Sequence, residues 1–275
     1  MQTYRSWTVE AVNFSKRSEN PIHDDRIAQR HGFRAGLVPG ATVFAYLVHP
    51  ALCRWGESWL DRGRAAIVLS RPFYDQEPVV VTPQADGANA YACELRGVGG
   101  EVRAKGAASL PDPPAESPVP RDDPPAPDPN ERPWATRETF ERLREQGMGS
   151  IRSSWRAEPP YDRYTKELDD MPAHVRPDQR AFANAAFVLN LANLALSSNV
   201  RLGPWIHVES EVQNHGRLPL GRSVHVESSV VEVLERSGHE FCDLQVHAFL
   251  KEGAPIASVR HRVIYRLREP HESRA

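Results

Sequence analysis

The sequence predicts an α+β fold built from two similar repeats. Three observations carry that prediction. Two segments with helical character are apolar on nearly every face, residues 41–48 and the run through Phe182, Phe187, Val188, Leu189, Leu191, Leu194 and Leu196. Each is followed by four strand-like segments. Of the 24 prolines, ten fall between Pro111 and Pro133, between the two patterns. A helix without a polar face needs cover on several sides, and one antiparallel sheet curled around each helix supplies it.

The elements follow in order. The alternation Ser6-Trp-Thr-Val-Glu-Ala-Val12 predicts a first strand. A polar turn over 18–25 leads into a short helix at 26–30, with Gly32 as its stop signal. Pro39-Gly40 then opens the buried helix. Segments 65–69, 78–82, 90–95 and 101–107 read as strands of an antiparallel meander, separated by Gly and Asp residues. In the second repeat Asp178, after Pro177, is the expected N-cap of the buried helix. Four strands are expected after it, at 205–212, 223–234, 240–250 and 256–265, with breaks at Gly216, Gly238 and Gly253. The proline-rich stretch forms neither a packed strand nor a continuous helix, and it reads as an extended linker. A short polar helix is expected at 136–146, and the residues from there to Arg176 show no pattern. The organisation is therefore a first repeat at 1–110, a linker at 111–133 and a second repeat at 134–275.

Composition narrows the function. A chain of 275 residues buries about three quarters of its unfolded surface on folding, so neither metal nor disulfide is needed to hold it. The 34 basic and 36 acidic residues leave a formal charge of −2, which argues against bulk electrostatic binding to nucleic acid or to an anionic membrane. Cys53, Cys93 and Cys242 stand far apart, and the histidines offer no metal-ligand spacing. The N-terminus lacks the apolar run of a signal peptide, and no stretch approaches the roughly 18 apolar residues of a membrane span. The expectation is a cytoplasmic protein with no metal, no cofactor, no nucleic-acid partner and no membrane partner.

One segment carries chemistry. Ser18-Glu19-Asn20-Pro21-Ile22-His23 is followed by Gly32-Phe33 and then by Gly36-Leu37-Val38-Pro39-Gly40. This resembles the MaoC-like hydratases and dehydratases, a family that includes (R)-specific enoyl-CoA hydratases. The family pattern is Asp-x-Asn-Pro-x-His, then Gly-Phe, then a Gly at the start of the long helix. Asn20, Pro21, His23, Gly32, Phe33 and Gly40 match it. The resemblance is specific over residues 10–50, looser through the rest of the first repeat, and architectural alone in the second. It implies a double hot-dog fold and an acyl thioester of coenzyme A or of a carrier protein as ligand. The implied activity is that of a hydro-lyase, hydrating a 2-enoyl thioester or dehydrating the (3R)-hydroxyacyl form. The implied assembly is a homodimer of double hot-dog chains.

In that reading His23 is the acid–base residue, because an imidazole titrates near neutral pH. Ser18 and Asn20 are its polar neighbours, Asn20 either orienting His23 or holding the turn. The Gly40 amide, at a helix start, faces the thioester oxygen as an oxyanion donor. Ser18 stands where the family carries its catalytic Asp. A serine hydroxyl is a poor base, and losing a positioned carboxylate forfeits about 10²–10⁴-fold in rate. Asp24 and Asp25 are expected to cap the short helix rather than enter the pocket. The departure at Ser18 keeps two other readings open. One is a non-catalytic acyl-binding or partner subunit; the other is a different reaction on the same fold, such as isomerisation, cyclisation or thioester hydrolysis. The second repeat holds no copy of the motif, and its His207, His215, His225, His239, His247 and His261 read as strand positions.

Overall fold

The computed structural model describes residues 4–179 and 181–268. Its ten strands are β1 (Trp7–Glu10), β2 (Arg64–Leu69), β3 (Pro78–Ala85), β4 (Ala90–Arg96), β5 (Val102–Ser109), β6 (Ile151–Ser154), β7 (Ile206–Asn214), β8 (Ser223–Arg236), β9 (His239–Leu250) and β10 (Pro255–Arg266). Five helices accompany them: α1 (Asp25–Arg30), α2 (Gly40–Trp55), α3 (Glu57–Arg62), α4 (Arg137–Gln146) and α5 (Ala185–Asn199). The strands form one antiparallel sheet in the order β1-β3-β4-β5-β2-β7-β10-β9-β8-β6. Read from each outer edge inward, the halves have the same topology, β1-β3-β4-β5-β2 and β6-β8-β9-β10-β7. They meet where β2 pairs with β7, from Arg64 opposite Gln213 to Val68 opposite Glu209.

Each half encloses its long helix. Ala41 to Val48 of α2 are all buried, and Ala185, Ala186, Leu189, Leu191 and Ala192 of α5 are buried likewise. The two helices pack against each other, so the cores of the halves merge into one cluster. Gly56, at φ 54°, ends α2 in a left-handed conformation where glycine carries no Cβ penalty.

Three expectations need correction. The strands of the first half are not a plain meander: β2, first after the helix, crosses to pair with β5 and so becomes the strand that joins the halves. Asp178 does not cap the second buried helix. Pro177–Gln179 is a separate 3₁₀ turn, and Asn184 caps α5 instead, its Oδ1 accepting from the amides of Ala186 and Phe187 at 2.9 and 3.1 Å. Asn184 wins because its Nδ2 also donates to the carbonyls of Tyr161 and Asp162, both at 3.0 Å, fixing the loop before the helix. The patternless stretch before Arg176 contains β6, the short edge strand paired with β8.

The proline-rich stretch has no helix and no strand, but it is tied to the second half. The amides of Arg121 and Asp122 donate to the Glu227 carboxylate at 2.8–3.1 Å, and that carboxylate is wholly buried. Backbone bonds between Ala126 and Ser150 and between Ala135 and Arg201 hold it further on.

Gly106 of β5 lies where β2 and α2 leave no room for a side chain. A Cβ there would overlap the carbonyl oxygen of Ala66 on β2 and come within 2.5 Å of Leu47 Cδ1 on α2. Gly106→Ala should force β5 away from β2 and cost about 1–3 kcal/mol, the usual range for overpacking. A thermal midpoint equal to wild type would contradict this.

Candidate functional site

His23 ends a 3₁₀ turn, Pro21–His23, and only 8% of its surface is exposed. Asn20 caps the turn, its Oδ1 accepting from the Ile22 amide at 3.2 Å. The other bonds of that amide group reach the second half: Nδ2 donates to the Trp205 carbonyl at 3.0 Å, and Oδ1 accepts from the Trp205 amide at 3.4 Å. Asn20 therefore ties the His23 turn to the loop before β7, and its side chain makes no hydrogen bond to the His23 ring. On the other side the Asn13 side chain donates to the His23 carbonyl at 3.0 Å. Gly36 lies so close to His23 that a Cβ would be 2.7 Å from the His23 carbonyl carbon.

The imidazole orientation follows from one bond. His23 Nδ1 lies 2.7 Å from the carbonyl oxygen of Leu37. A carbonyl only accepts, so Nδ1 carries the proton and the neutral ring presents Nε2 as a bare base. Burial pushes the His23 pKa below the usual histidine value, partly offset by the Leu37 bond, so the ring is neutral at pH 7.

His23 stands between two cavities. An inner one of about 220 Å³ is walled by Gly40, Val43, Leu69, Phe73 and His207. An outer cleft of about 960 Å³ is walled by Arg132, Arg156, Arg201, Trp155, Tyr161 and Phe187, among others. Four residues border both: Asn20, His23, Asn193 and Trp205. They form the throat between the two spaces, and it draws on both halves of the chain.

Ser18 borders the outer cleft only, is exposed, and donates its hydroxyl to the Asn20 carbonyl at 3.4 Å. Among the described residues no carboxylate hydrogen-bonds the His23 ring. Glu19 is exposed and lies 3.9 Å from Arg132. Asp24 caps α1 by accepting from the amides of Arg26 and Ile27, and Asp25 accepts from the Gly36 amide at 2.8 Å. Gly40 opens α2. Thr42 and Val43 donate to the Pro39 carbonyl, while the amides of Gly40 and Ala41 find no acceptor among the described residues. Those two orphan donors are the positive end of a 16-residue helix, whose first residue, Gly40, lines the inner cavity.

Two polar residues of this site were not anticipated. Asn193 of α5 donates Nδ2 to Asn190 Oδ1 at 3.1 Å, and its own Oδ1 is buried at the throat without a partner among the described residues. The signal was the recurrence of asparagine in an otherwise apolar helix. His207 is a strand position of β7, as its pattern suggests, and its ring also walls the inner cavity beside Gly40.

The sequence matches no protein-family model and no curated protein. Its fold does match solved structures. A MaoC domain protein assigned as a dehydratase, from Chloroflexus aurantiacus, aligns at 10% identity and a TM-score of 0.57, covering 97% of this chain and 96% of that one. Rv0216 of Mycobacterium tuberculosis, described as having a double hot-dog fold, aligns at 12% identity and 0.56, covering 96% of each. A protein assigned as an oleoyl thioesterase, from Lactobacillus plantarum, aligns at 12% and 0.54, covering 96% and 95%. The chain has a double hot-dog fold.

Proposed function

We propose that the chain is a hydro-lyase acting on acyl thioesters, adding water to a 2-enoyl group or removing it from the (3R)-hydroxyacyl form. The observation that carries this reading is His23, its Nδ1 fixed by Leu37 and its Nε2 bare at the throat between a smaller, mainly apolar cavity and an arginine-flanked cleft. The acyl chain occupies the inner cavity, the thioester lies at the throat, and the carrier runs out through the cleft. His23 Nε2 takes a proton from water while Asn193 Oδ1 accepts the other hydrogen and aims the oxygen at C3. The C–O bond forms as the C2–C3 π electrons move onto the thioester oxygen, which the Gly40 amide and the positive end of α2 stabilise. The imidazolium then returns its proton to C2. One base serves both transfers, and the sum is addition of water.

This assigns Asn20 a positioning role through Trp205 and leaves Ser18 at the mouth of the cleft. Thioester hydrolysis is the second reading, supported by the fold shared with a protein assigned as a thioesterase. The same His23–water pair would attack the thioester carbon in place of C3. One assay separates them. With 2-enoyl-CoA thioesters, hydration removes the conjugated enoyl absorbance without releasing thiol, and hydrolysis releases thiol. Thiol release with formation of the free 2-enoic acid in place of a 3-hydroxyacyl thioester would reverse the assignment, and no reaction of either kind would leave the acyl-binding subunit.

Two further outcomes are expected. Asn193→Leu should lower kcat about tenfold, the worth of one hydrogen bond to the attacking water, with KM little changed. Arg156 and Arg201 border the cleft and make no carboxylate ion pair among the described residues. Their guanidinium groups suit the phosphates of coenzyme A. Replacing both with Ala should raise KM for coenzyme A thioesters about tenfold at unchanged kcat, with a weaker effect at high salt. An unchanged KM would remove the phosphates from this cleft.

A further inference from the structure

We propose that His207 is a second hydrogen-bond donor to the thioester oxygen, sharing it with the Gly40 amide, and that Ser210 and His261 hold its ring in the tautomer that donates. This rests on the thioester reading above and adds a residue from the second half to it.

The backbone first explains how His207 comes to face the cavity. Along β7, Ser210, Val212 and Asn214 point into the core, and simple alternation would send Val208 and Ile206 the same way. The pairing with β10 slips at this point: Glu209 lies opposite Arg262, but His207 lies opposite Val263, leaving Val208 as the extra residue of a bulge. A bulge reverses the parity of the strand beyond it. His207 is therefore turned inward and buried, while Val208 and Glu209 are not. The ring comes to rest against the start of α2. A Cβ on Gly40 would overlap His207 Nδ1 and lie 2.7 Å from Leu69 Cδ1, so the glycine leaves the space that the imidazole fills.

A hydroxyl then fixes the proton. His207 Nε2 lies 2.8 Å from Ser210 Oγ, and the same oxygen lies 2.7 Å from His261 Nδ1. The hydroxyl has one proton, so it donates to one ring and accepts from the other. The two neutral rings are thereby locked in complementary tautomers. Either His207 Nδ1 carries the outward N–H and His261 Nε2 is bare, or the reverse. Both of those nitrogens are buried without a partner among the described residues. They differ in surroundings. His261 is fully buried behind β7, where an N–H would stay stranded in every state of the protein. His207 Nδ1 is at the cavity wall beside the unpaired Gly40 amide, where an arriving carbonyl oxygen satisfies both donors. Orphaned buried N–H groups are rarer than bare acceptors, so the pair settles with Ser210 donating to His207 Nε2 and His207 Nδ1 protonated. Burial of the site keeps the ring neutral, the form in which an imidazole polarises a carbonyl without surrendering its proton.

The experiment uses wild-type protein labelled with ¹⁵N-histidine and octanoyl-coenzyme A carrying ¹³C at the thioester carbonyl. In the complex, His207 Nδ1 should give the nitrogen signal of a protonated position and Nε2 that of a bare one. The infrared carbonyl band of the bound thioester should lie at lower frequency than in water. In His207→Phe the band should move back, and kcat on the matching 2-enoyl thioester should fall about 10²-fold, the effect of losing one oxyanion donor, with KM nearly unchanged. A bare His207 Nδ1 in the complex, or a band unmoved by His207→Phe, overturns the role of His207 while the thioester reading stands. Failure of wild-type protein to bind octanoyl-coenzyme A overturns both. If the Phe variant does not fold, the nitrogen signals of the wild-type complex decide alone.

Discussion

His23→Ala should abolish turnover while leaving the fold standing. Among the described residues His23 is the one imidazole that borders both cavities, and none of their carboxylates hydrogen-bonds its ring. Loss of a positioned general base costs about 10²–10⁴ in rate. With a single base serving both proton transfers, the upper end of that range is expected. The fold should survive because the features that hold the turn act through backbone and neighbours. Asn20 caps it, Asn13 bonds the His23 carbonyl and Leu37 N donates to the Ile22 carbonyl at 3.2 Å, all of which remain in the variant. The pH profile gives an independent check. Catalysis needs neutral His23, and burial holds its pKa below the usual value. The rate should therefore be flat through pH 7 and fall only on the acid side, below the pH at which an exposed histidine titrates. A variant with wild-type kcat would remove His23 from the mechanism. A variant that is inactive but also unfolded by circular dichroism would call for His23→Gln in its place.

Much of this fold was legible because its signals are local and redundant. Residues 41–48 have no polar face, and a helix of that kind has one physical solution, burial on all sides. The strand segments were placed close to their observed bounds by alternation and by glycine breaks. What was not legible was pairing. Nothing in the sequence of β2 says that it leaves the meander to meet β7, since strand order depends on which edges remain free after the others pair. The site divides in the same way. His23, Asn20 and Gly40 stand within one short stretch and were found together. Asn193 and His207 come from the second half and reach the throat only through tertiary structure. His207 also depends on a one-residue bulge, which reverses the parity that alternation assigns. The cap of α5 was misplaced for a related reason. Asp178 and Asn184 are both good caps locally, and the choice was made by Tyr161 and Asp162, whose carbonyls accept from the Asn184 side chain.

The fold should also be unusually sensitive to mild acid. His23, His207 and His261 are buried and His49 is half-buried, and burial is the first cause lowering the pKa of every one, to about 4 for His49 and about 3 for His207. In the unfolded chain all four titrate near the ordinary value of about 6.5. Below that pH the unfolded state binds protons that the native state refuses, so the contribution of these groups to stability is complete above pH ~6.5 and is lost as the pH falls towards their native values. Each histidine costs roughly 1 kcal/mol per pH unit in that window. His49, His207 and His261 together remove roughly 3–4 kcal/mol per unit, with His23 adding to this in the same direction, against a total stability of about 5–15 kcal/mol for a folded domain. Cooperative unfolding is therefore expected between about pH 6 and pH 4, before most carboxylates are protonated. Urea midpoints measured at pH 7.5, 6.5 and 5.5 give the test: little change across the first interval and a steep fall across the second. His49→Phe should flatten the fall by the share of one proton, since His49 lies outside the throat and stacks on Trp7 with ring centroids 3.9 Å apart, a place an aromatic ring can keep. Equal midpoints at pH 7.5 and 5.5 would mean that the native protein protonates these histidines where they sit, and that the packing around them opens at little cost.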